Sequence, residues 1–280
     1  MPYVTNRGAQ LYWEEHGSGP PVLLIMGLSF TSAMWFRVAP HLAKSYRTII
    51  FDNRGIGRSD VPRGPYTMRT LASDAEAVLD AAGVTAAHIV GASMGGMVAQ
   101  ELALRSPGRV LSLMLGCTSY SGLFSKWPHF RKSPNQFALF RASRLQREWA
   151  MRDMLYAAGT LDELIEEDIQ VRCQCRWTYK GVFSQFAGIL LWSSYRRLPS
   201  IKAPTLVVHG ADDHILPPQN GRIVASRIPG ARFVLIPQAG HILMTDQPEI
   251  TMQHLLRFLQ EVSDTQTQSA RVAAHTREDV

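Results

Sequence analysis

Residues Gly91-Ala92-Ser93-Met94-Gly95 constrain this chain more than any other stretch. They follow the apolar run His88-Ile89-Val90 and precede the helix-like run Gly96-Met97-Val98-Ala99-Gln100-Glu101-Leu102-Ala103. A serine placed between an apolar strand and a helix occupies a turn so tight that only glycine-sized neighbours permit it. Its backbone is then strained and its hydroxyl exposed. The helix behind it contributes the free N–H of Met94 and a positive dipole end, both suited to developing negative charge. Such a strand–turn–helix unit needs a sheet with helices packed upon it, and the rest of the chain is to be tested for that rhythm.

The first half has it. Gln10–Glu14 has the pattern of an early strand, and Val22–Ile25 that of a buried one. Met34–Leu42 is a helix candidate, and Arg47–Phe51 a strand closed by the turn-rich Asp52-Asn53-Arg54-Gly55-Ile56-Gly57-Arg58-Ser59. Apolar residues at Leu71, Ala75, Val78, Leu79 and Ala82 keep a helical period that Gly83 ends. Next come the strand at 88–91, a helix from about 94 to 105, and the strand Val110–Leu115. Short, continuously apolar strands separated by helices predict a mainly parallel, doubly wound α/β sheet covered on both faces.

The rhythm breaks at Thr118. Some eighty residues follow with helical patterns and no convincing strand, and they hold 14 of the chain's 25 Phe, Trp and Tyr residues. Strands return at Pro204–Val208 and Arg232–Ile236, and a helix from about Pro248 to Val262 closes the pattern. We therefore expect residues 1–117 and 201–262 to form one core, 118–200 to be a helical insertion, and the polar stretch 263–280 to be a poorly ordered tail.

Composition narrows the classes. An apolar fraction of 46% and a charged fraction of 19% across 280 residues suit a globular protein with a full core. No apolar run approaches the roughly 18 residues of a membrane span. With no signal-peptide pattern and only three cysteines (Cys117, Cys173, Cys175) in no metal-binding spacing, reduced thiols and a cytoplasmic location are expected. The net charge of +6 is concentrated between Thr118 and Ser200, where 12 Lys or Arg face 7 Asp or Glu. These charges are scattered, form no run and accompany no nucleic-acid motif, so a solvated surface is expected in place of a nucleic-acid face.

A serine hydroxyl is a poor nucleophile until a base within hydrogen-bond reach, itself oriented by a carboxylate, takes its proton. In a doubly wound sheet these groups come from loops at the carboxyl ends of strands. The strand at 204–208 leads into His209-Gly210-Ala211-Asp212-Asp213-His214, and the strand at 232–236 into Pro237-Gln238-Ala239-Gly240-His241. Ser93, then Asp212 or Asp213, then His241 gives the order serine, acid, histidine.

On these motifs the chain resembles the α/β-hydrolase fold superfamily from near its N-terminus to about residue 262, with a helical cap after the sixth strand. The resemblance implies Ser93 as nucleophile, His241 as base and Asp213, three residues after Gly210, as the acid. It also implies an oxyanion loop after an early strand. That loop is commonly His-Gly, but here it is Met26-Gly27-Leu28, a form similar to that of esterase-like members, including polyketide methyl esterases. Leu28 and Met94 N–H groups are then the oxyanion donors. The Asp52–Ser59 turn is implied to be structural. Relatives that open epoxides or remove halides carry Asp at the elbow, so Ser93 implies acyl transfer without metal or organic cofactor.

The expected substrate is a medium-sized hydrophobic or aromatic ester or lactone. Its pocket is drawn from Met26, Phe30, Trp35, Phe124, Trp127, Trp149, Trp177, Trp192 and Ile242. C–C hydrolysis, peptide cleavage and perhydrolysis on the same triad stay open, as does a slow or non-catalytic receptor.

Overall fold

A computed structural model of the chain describes residues 3–126 and 143–278. Eight strands form one sheet: β1 (Tyr3–Asn6), β2 (Ala9–His16), β3 (Pro21–Ile25), β4 (Arg47–Phe51), β5 (Ala87–Ala92), β6 (Val110–Gly116), β7 (Thr205–Gly210) and β8 (Arg232–Ile236). Their spatial order is β1-β2-β4-β3-β5-β6-β7-β8. Pairs β1–β2 and β2–β4 are antiparallel, and all others are parallel. The edge strand β1 has no counterpart in the sequence reading, because its four residues alternate only between exposed and half-buried.

The inner strands are buried on both faces, which explains their continuous apolar runs. Successive residues point to opposite sides: Leu23 and Ile25 enter one core cluster, and Val22 and Leu24 the other. Helices α2 (Met68–Ala81) and α3 (Met94–Arg105) cover the first face, together with α8 (Gln219–Arg227). Helix α1 (Ala39–Leu42), the single turn α9 (Leu243–Asp246) and the first turns of α10 (Pro248–Glu278) cover the second. Thr67 caps α2 by accepting from Thr70 N–H at 3.1 Å, a contact of about 1 kcal/mol.

Two predicted helices differ in detail. The stretch expected as one helix over 34–42 is a 3-10 turn at Ser32–Arg37 followed by the single turn α1, with Pro40 in its first turn. The polar stretch after Ser263, expected as a tail, continues α10 to Glu278. It contains neither proline nor glycine to stop the helix.

Between β6 and β7 the described chain is helical: α4 (Arg144–Trp149), α5 (Arg152–Leu155), α6 (Asp162–Gln174) and α7 (Tyr179–Leu190). An isolated antiparallel bridge joins Ser121 to Ser193 where this segment leaves and rejoins the sheet. Among the described residues, no helix is long and apolar enough to cross a membrane. The chain order reverses at β3, which lies between β4 and β5 with Ile25 opposite Gly91. Crevices at carboxyl ends beside such a reversal are where open α/β sheets bind ligands. The loops after β3 and β5 therefore meet there.

Candidate active site

Ser93 joins β5 to α3 at φ 55° and ψ −120°. Such a conformation costs a non-glycine residue about 1–3 kcal/mol, so the surroundings must enforce it. Ser93 N–H donates to Gly116 O at 2.8 Å, and the Thr118 hydroxyl donates to Ser93 O at 2.7 Å. The flanking glycines are steric necessities. A Cβ on Gly95 would stand 2.0 Å from Ile25 O, and one on Gly91 would stand 2.4 Å from Gly95 O. Met94 is the first residue of α3, so its N–H has no acceptor within the helix.

The loop after β3 passes close to this elbow. A Cβ on Gly27 would lie 3.0 Å from Ser93 Cβ. Asn53 Nδ2 holds the loop by donating to Met26 O at 2.9 Å, and Gln185 Oε1 on α7 accepts from Ser29 N–H at 3.1 Å. The Asp52–Ser59 turn supports the region from behind. Asp52 accepts from Ser32 N–H and from Arg58 N–H, both at 2.9 Å, while Arg54 pairs with buried Asp74.

The structure separates the two candidate acids. Asp213 Oδ2 lies 2.8 Å from His241 Nδ1, whereas Asp212 is exposed. Asp213 Oδ1 accepts from Ile215 and Leu216 N–H, each at 2.9 Å. Burial alone would push this carboxyl up. The charge and hydrogen bond of His241, joined by those of His209, outweigh burial and hold it well below the usual carboxylate range. An ionised Asp213 can only accept, so His241 carries its proton on Nδ1 and keeps a lone pair on Nε2. His209 is a second partner of this carboxylate, which the order serine, acid, histidine does not announce. Its Nε2 donates to Leu216 O at 2.7 Å and lies 3.2 Å from Asp213 Oδ2, while its Nδ1 packs against Gly221.

The inserted segment grips the histidine loop. Leu155 O accepts from His241 N–H at 2.8 Å and from Ile242 N–H at 3.1 Å. Asp246 accepts from Gly240 N–H at 2.6 Å, from the Thr160 hydroxyl at 2.5 Å and from Ala157 N–H at 3.3 Å. Burial, the largest influence, pushes the Asp246 carboxyl up against these hydrogen bonds.

Ser93 and His241 share the wall of a cavity of about 290 Å³ with Leu28 and Met94. Seven of the chain's 11 methionines line it, and among the described residues its polar side chains are Ser29, Ser93 and His241. Of the residues expected to line the pocket, Met26, Phe30 and Ile242 do so. Trp177 instead lines an adjoining chamber of about 770 Å³.

Four others lie elsewhere. Trp35 is buried in the core cluster beneath the sheet's second face. Trp149 packs half-buried against that cluster. Phe124 points to solvent. Trp192 turns to α3, where its Nε1 donates to Glu101 Oε2 at 2.9 Å, because a buried indole N–H needs an acceptor. Trp127 lies outside the described residues. Methionines replace the expected aromatic lining, and nothing in their sequence spacing announces it.

Among the described residues, Cys117, His209 and Asp213 form one cluster with metal-ligand chemistry. Its donors are already engaged. Asp213 accepts from two backbone N–H groups and His241, His209 Nε2 donates to a carbonyl, and burial keeps the Cys117 thiol protonated by pushing its pKa up. The cluster holds the candidate acid in place and does not fit a metal centre.

A family model described as the alpha/beta hydrolase fold matches residues 20–248. The chain is 31% identical to a protein of Azorhizobium caulinodans named "Putative carbamate hydrolase RutD", over 94% of this chain and 99% of that one. Its structure is similar to that of an enol-lactonase from Burkholderia xenovorans at a TM-score of 0.81 and 26% identity, over 92% of this chain and 100% of that chain. It is also similar to an N-acyl homoserine lactone degrading enzyme at a TM-score of 0.77 and 30% identity, over 92% of this chain and 100% of the other.

Proposed function

The chain belongs to the α/β-hydrolase fold family and is a hydrolytic enzyme, and on that premise we propose that it cleaves a carboxylic ester or lactone through an acyl-enzyme on Ser93. One observation carries this reading. His241, bonded to ionised Asp213 through Nδ1 at 2.8 Å, shares an apolar cavity with Ser93, a serine held in a strained backbone conformation.

Ser93 Oγ attacks the substrate carbonyl carbon and gives its proton to His241 Nε2. The Leu28 and Met94 N–H groups stabilise the resulting oxyanion, a contribution of about 3–4 kcal/mol per donor in related chemistry. The carbon–oxygen bond then breaks, and the leaving alkoxide departs as alcohol with the proton from His241. Water, deprotonated by the same nitrogen, attacks the acyl-enzyme and releases a carboxylic acid and free Ser93. For a lactone, acid and alcohol leave as one molecule.

Residues 118–200 act as a cap between the core segments 1–117 and 201–262. Met151, Met154, Leu155, Phe186 and Ile189 of that segment roof the cavity, which supports this. The apolar, methionine-rich wall suits a hydrophobic small molecule and adapts to its shape. Three unpaired cysteines support a cytoplasmic setting.

Labelling with a fluorophosphonate probe tests the nucleophile. We expect stoichiometric labelling of the wild type and none of Ser93→Ala, and label persisting in the variant refutes the assignment. The relative named as a carbamate hydrolase favours a second reading in which the same attack expels an amine. A panel of matched esters, lactones and carbamates separates the two.

A further inference from the structure

The catalytic cavity does not end at its apolar wall. Ser29, Phe30 and Met151 line both it and the outer chamber of about 770 Å³. The two differ sharply in charge. Among the described residues, no ionisable side chain other than that of His241 borders the inner cavity. Four arginines (Arg144, Arg147, Arg172 and Arg176) and one acid, Glu148, border the outer one.

Arg172 is the key member. Its side chain is only 3% exposed, yet its guanidinium is incompletely satisfied. Nη1 donates to the Tyr156 hydroxyl at 2.8 Å, and Nε lies 2.9 Å from Glu148 Oε2. Nη2 has no hydrogen-bond partner among the described residues. Burying a guanidinium N–H without an acceptor is costly, so a site of this kind is completed by an anionic ligand. Neighbouring carboxylates do not supply the acceptor. Asp168 Oδ2 is occupied by Tyr156 and Thr245, and its Oδ1 by Arg37. The intervening sequence 127–142 contains Arg131, Lys132 and Arg141 and neither Asp nor Glu. Arg176 adds an exposed cation on the same chamber wall.

We propose that the outer chamber is a carboxylate subsite, so that the substrate is an ester or lactone carrying a second, ionised carboxylate. This deepens the ester-hydrolase reading and rests on it for the reaction, though not for the binding. The apolar part of the substrate fills the methionine-lined cavity beside Ser93, and its carboxylate meets the guanidinium of Arg172 with Arg144 and Arg176 around it. A planar guanidinium is the side chain best matched to a carboxylate's two oxygens.

The test uses a matched pair of p-nitrophenyl esters of an eight-carbon diacid. One has a free terminal carboxylate, and the other a terminal carboxamide. We expect the free acid to be preferred about tenfold or more in kcat/KM, mainly through KM, with the preference shrinking as salt rises. Arg172→Gln and the surface pair Arg144→Gln/Arg176→Gln should each bring the acid-to-amide ratio toward one. The surface pair keeps the test valid if the buried substitution prevents folding. Equal rates for the two esters, or a ratio unmoved in the surface pair, overturn the proposal. Calorimetry of Ser93→Ala with the monomethyl ester of suberate, a monoanion at neutral pH, reads the subsite without catalysis. Binding there, with no ester turnover by the wild type, would refute the reaction but retain the subsite. Turnover of the amide-ended ester without binding of monomethyl suberate would do the opposite.

Discussion

Replacing Asp213 with asparagine tests the electrostatic logic of the site while changing one atom. In the native site Oδ1 accepts from Ile215 and Leu216 N–H at 2.9 Å each, and Oδ2 faces His241 Nδ1 at 2.8 Å and His209 Nε2 at 3.2 Å. Two backbone donors on one side direct the asparagine oxygen there, so the amide NH₂ replaces Oδ2. An NH₂ can only donate. His241 then accepts at Nδ1 and moves its proton to Nε2, the atom that must receive the serine proton. His209 Nε2, committed to Leu216 O at 2.7 Å, is left facing a donor.

Reversing the tautomer in a serine protease triad lowers kcat about 10⁴-fold, or about 5 kcal/mol of barrier. We expect a loss of that order for Asp213→Asn, with KM moving only a few-fold because the apolar cavity is untouched. Steady-state hydrolysis of p-nitrophenyl butyrate measures both constants, and a cooperative thermal melt checks that the variant folds. Asp212→Asn is the control. Its exposed side chain should leave kcat within about twofold. A folded Asp213→Asn that keeps more than a tenth of wild-type kcat would refute the reasoning, as would a larger loss in Asp212→Asn.

Three further outcomes are expected. Gly95→Ala places a methyl group 2.0 Å from Ile25 O, so the end of β3 must retreat by about 1.3 Å to reach ordinary contact. We expect a melting temperature lower by roughly 3–10 °C and a fall in kcat, and wild-type melting and activity would contradict the steric account. Asp246→Asn can satisfy either Gly240 N–H or the Thr160–Ala157 pair but not both. A destabilisation of about 2 kcal/mol, near 5 °C in melting, should accompany a roughly tenfold lower kcat, and an unchanged kcat would show that His241 is positioned without it. Because Asp213 is held below the usual carboxylate range, its contribution to stability is present above the unfolded-state pKa and is lost as pH falls through and below about 4. The melting difference between wild type and Asp213→Asn should therefore narrow below that pH, and a gap that stays constant to pH 3 argues against the assignment.

What was legible in the sequence was whatever a short local pattern enforces. The elbow glycines are fixed by backbone contacts at 2.0 and 2.4 Å, so Gly91 and Gly95 mark Ser93 without any knowledge of the fold. Strands buried on both faces are continuously apolar, so β3, β4, β5 and β7 stand out, whereas the exposed edge β1 does not. The choice between Asp212 and Asp213 was not visible in composition or spacing alone. It depends on which side chain the Gly210–Leu216 turn points inward, and two backbone N–H groups two and three residues ahead decide it for Asp213. The pocket was the least legible part. Aromatic density in the inserted segment suggested an aromatic roof. Yet the indole of Trp192 is claimed by Glu101 and Trp35 by the core, and the space is filled by methionines from five separate parts of the chain. Such a lining has no period to detect.

The placement of His241 shows how closely the inserted segment and the reaction are joined. Histidine on a loop after the last strand could be held by the sheet alone, but here its backbone N–H donates to Leu155 O and the preceding Gly240 N–H donates to Asp246, which also binds Thr160 and Ala157. Leu155 and Met154 of the same short stretch also line the catalytic cavity. The residues that shape the substrate's surroundings are thus bonded to the loop that carries the base. Tyr156 extends the connection outward, donating to Asp168 Oδ2 at 2.9 Å and accepting from Arg172 Nη1 at 2.8 Å. Arg172 is thus hydrogen-bonded to the Tyr156 side chain, and the carbonyl of the adjoining residue, Leu155, is hydrogen-bonded to the backbone of His241. In the proposed scheme, a ligand held by Arg172 would therefore bear on the same short stretch that supports His241. In that scheme, substrate recognition in the outer chamber and proton transfer in the inner cavity both draw on the stretch Leu155-Tyr156.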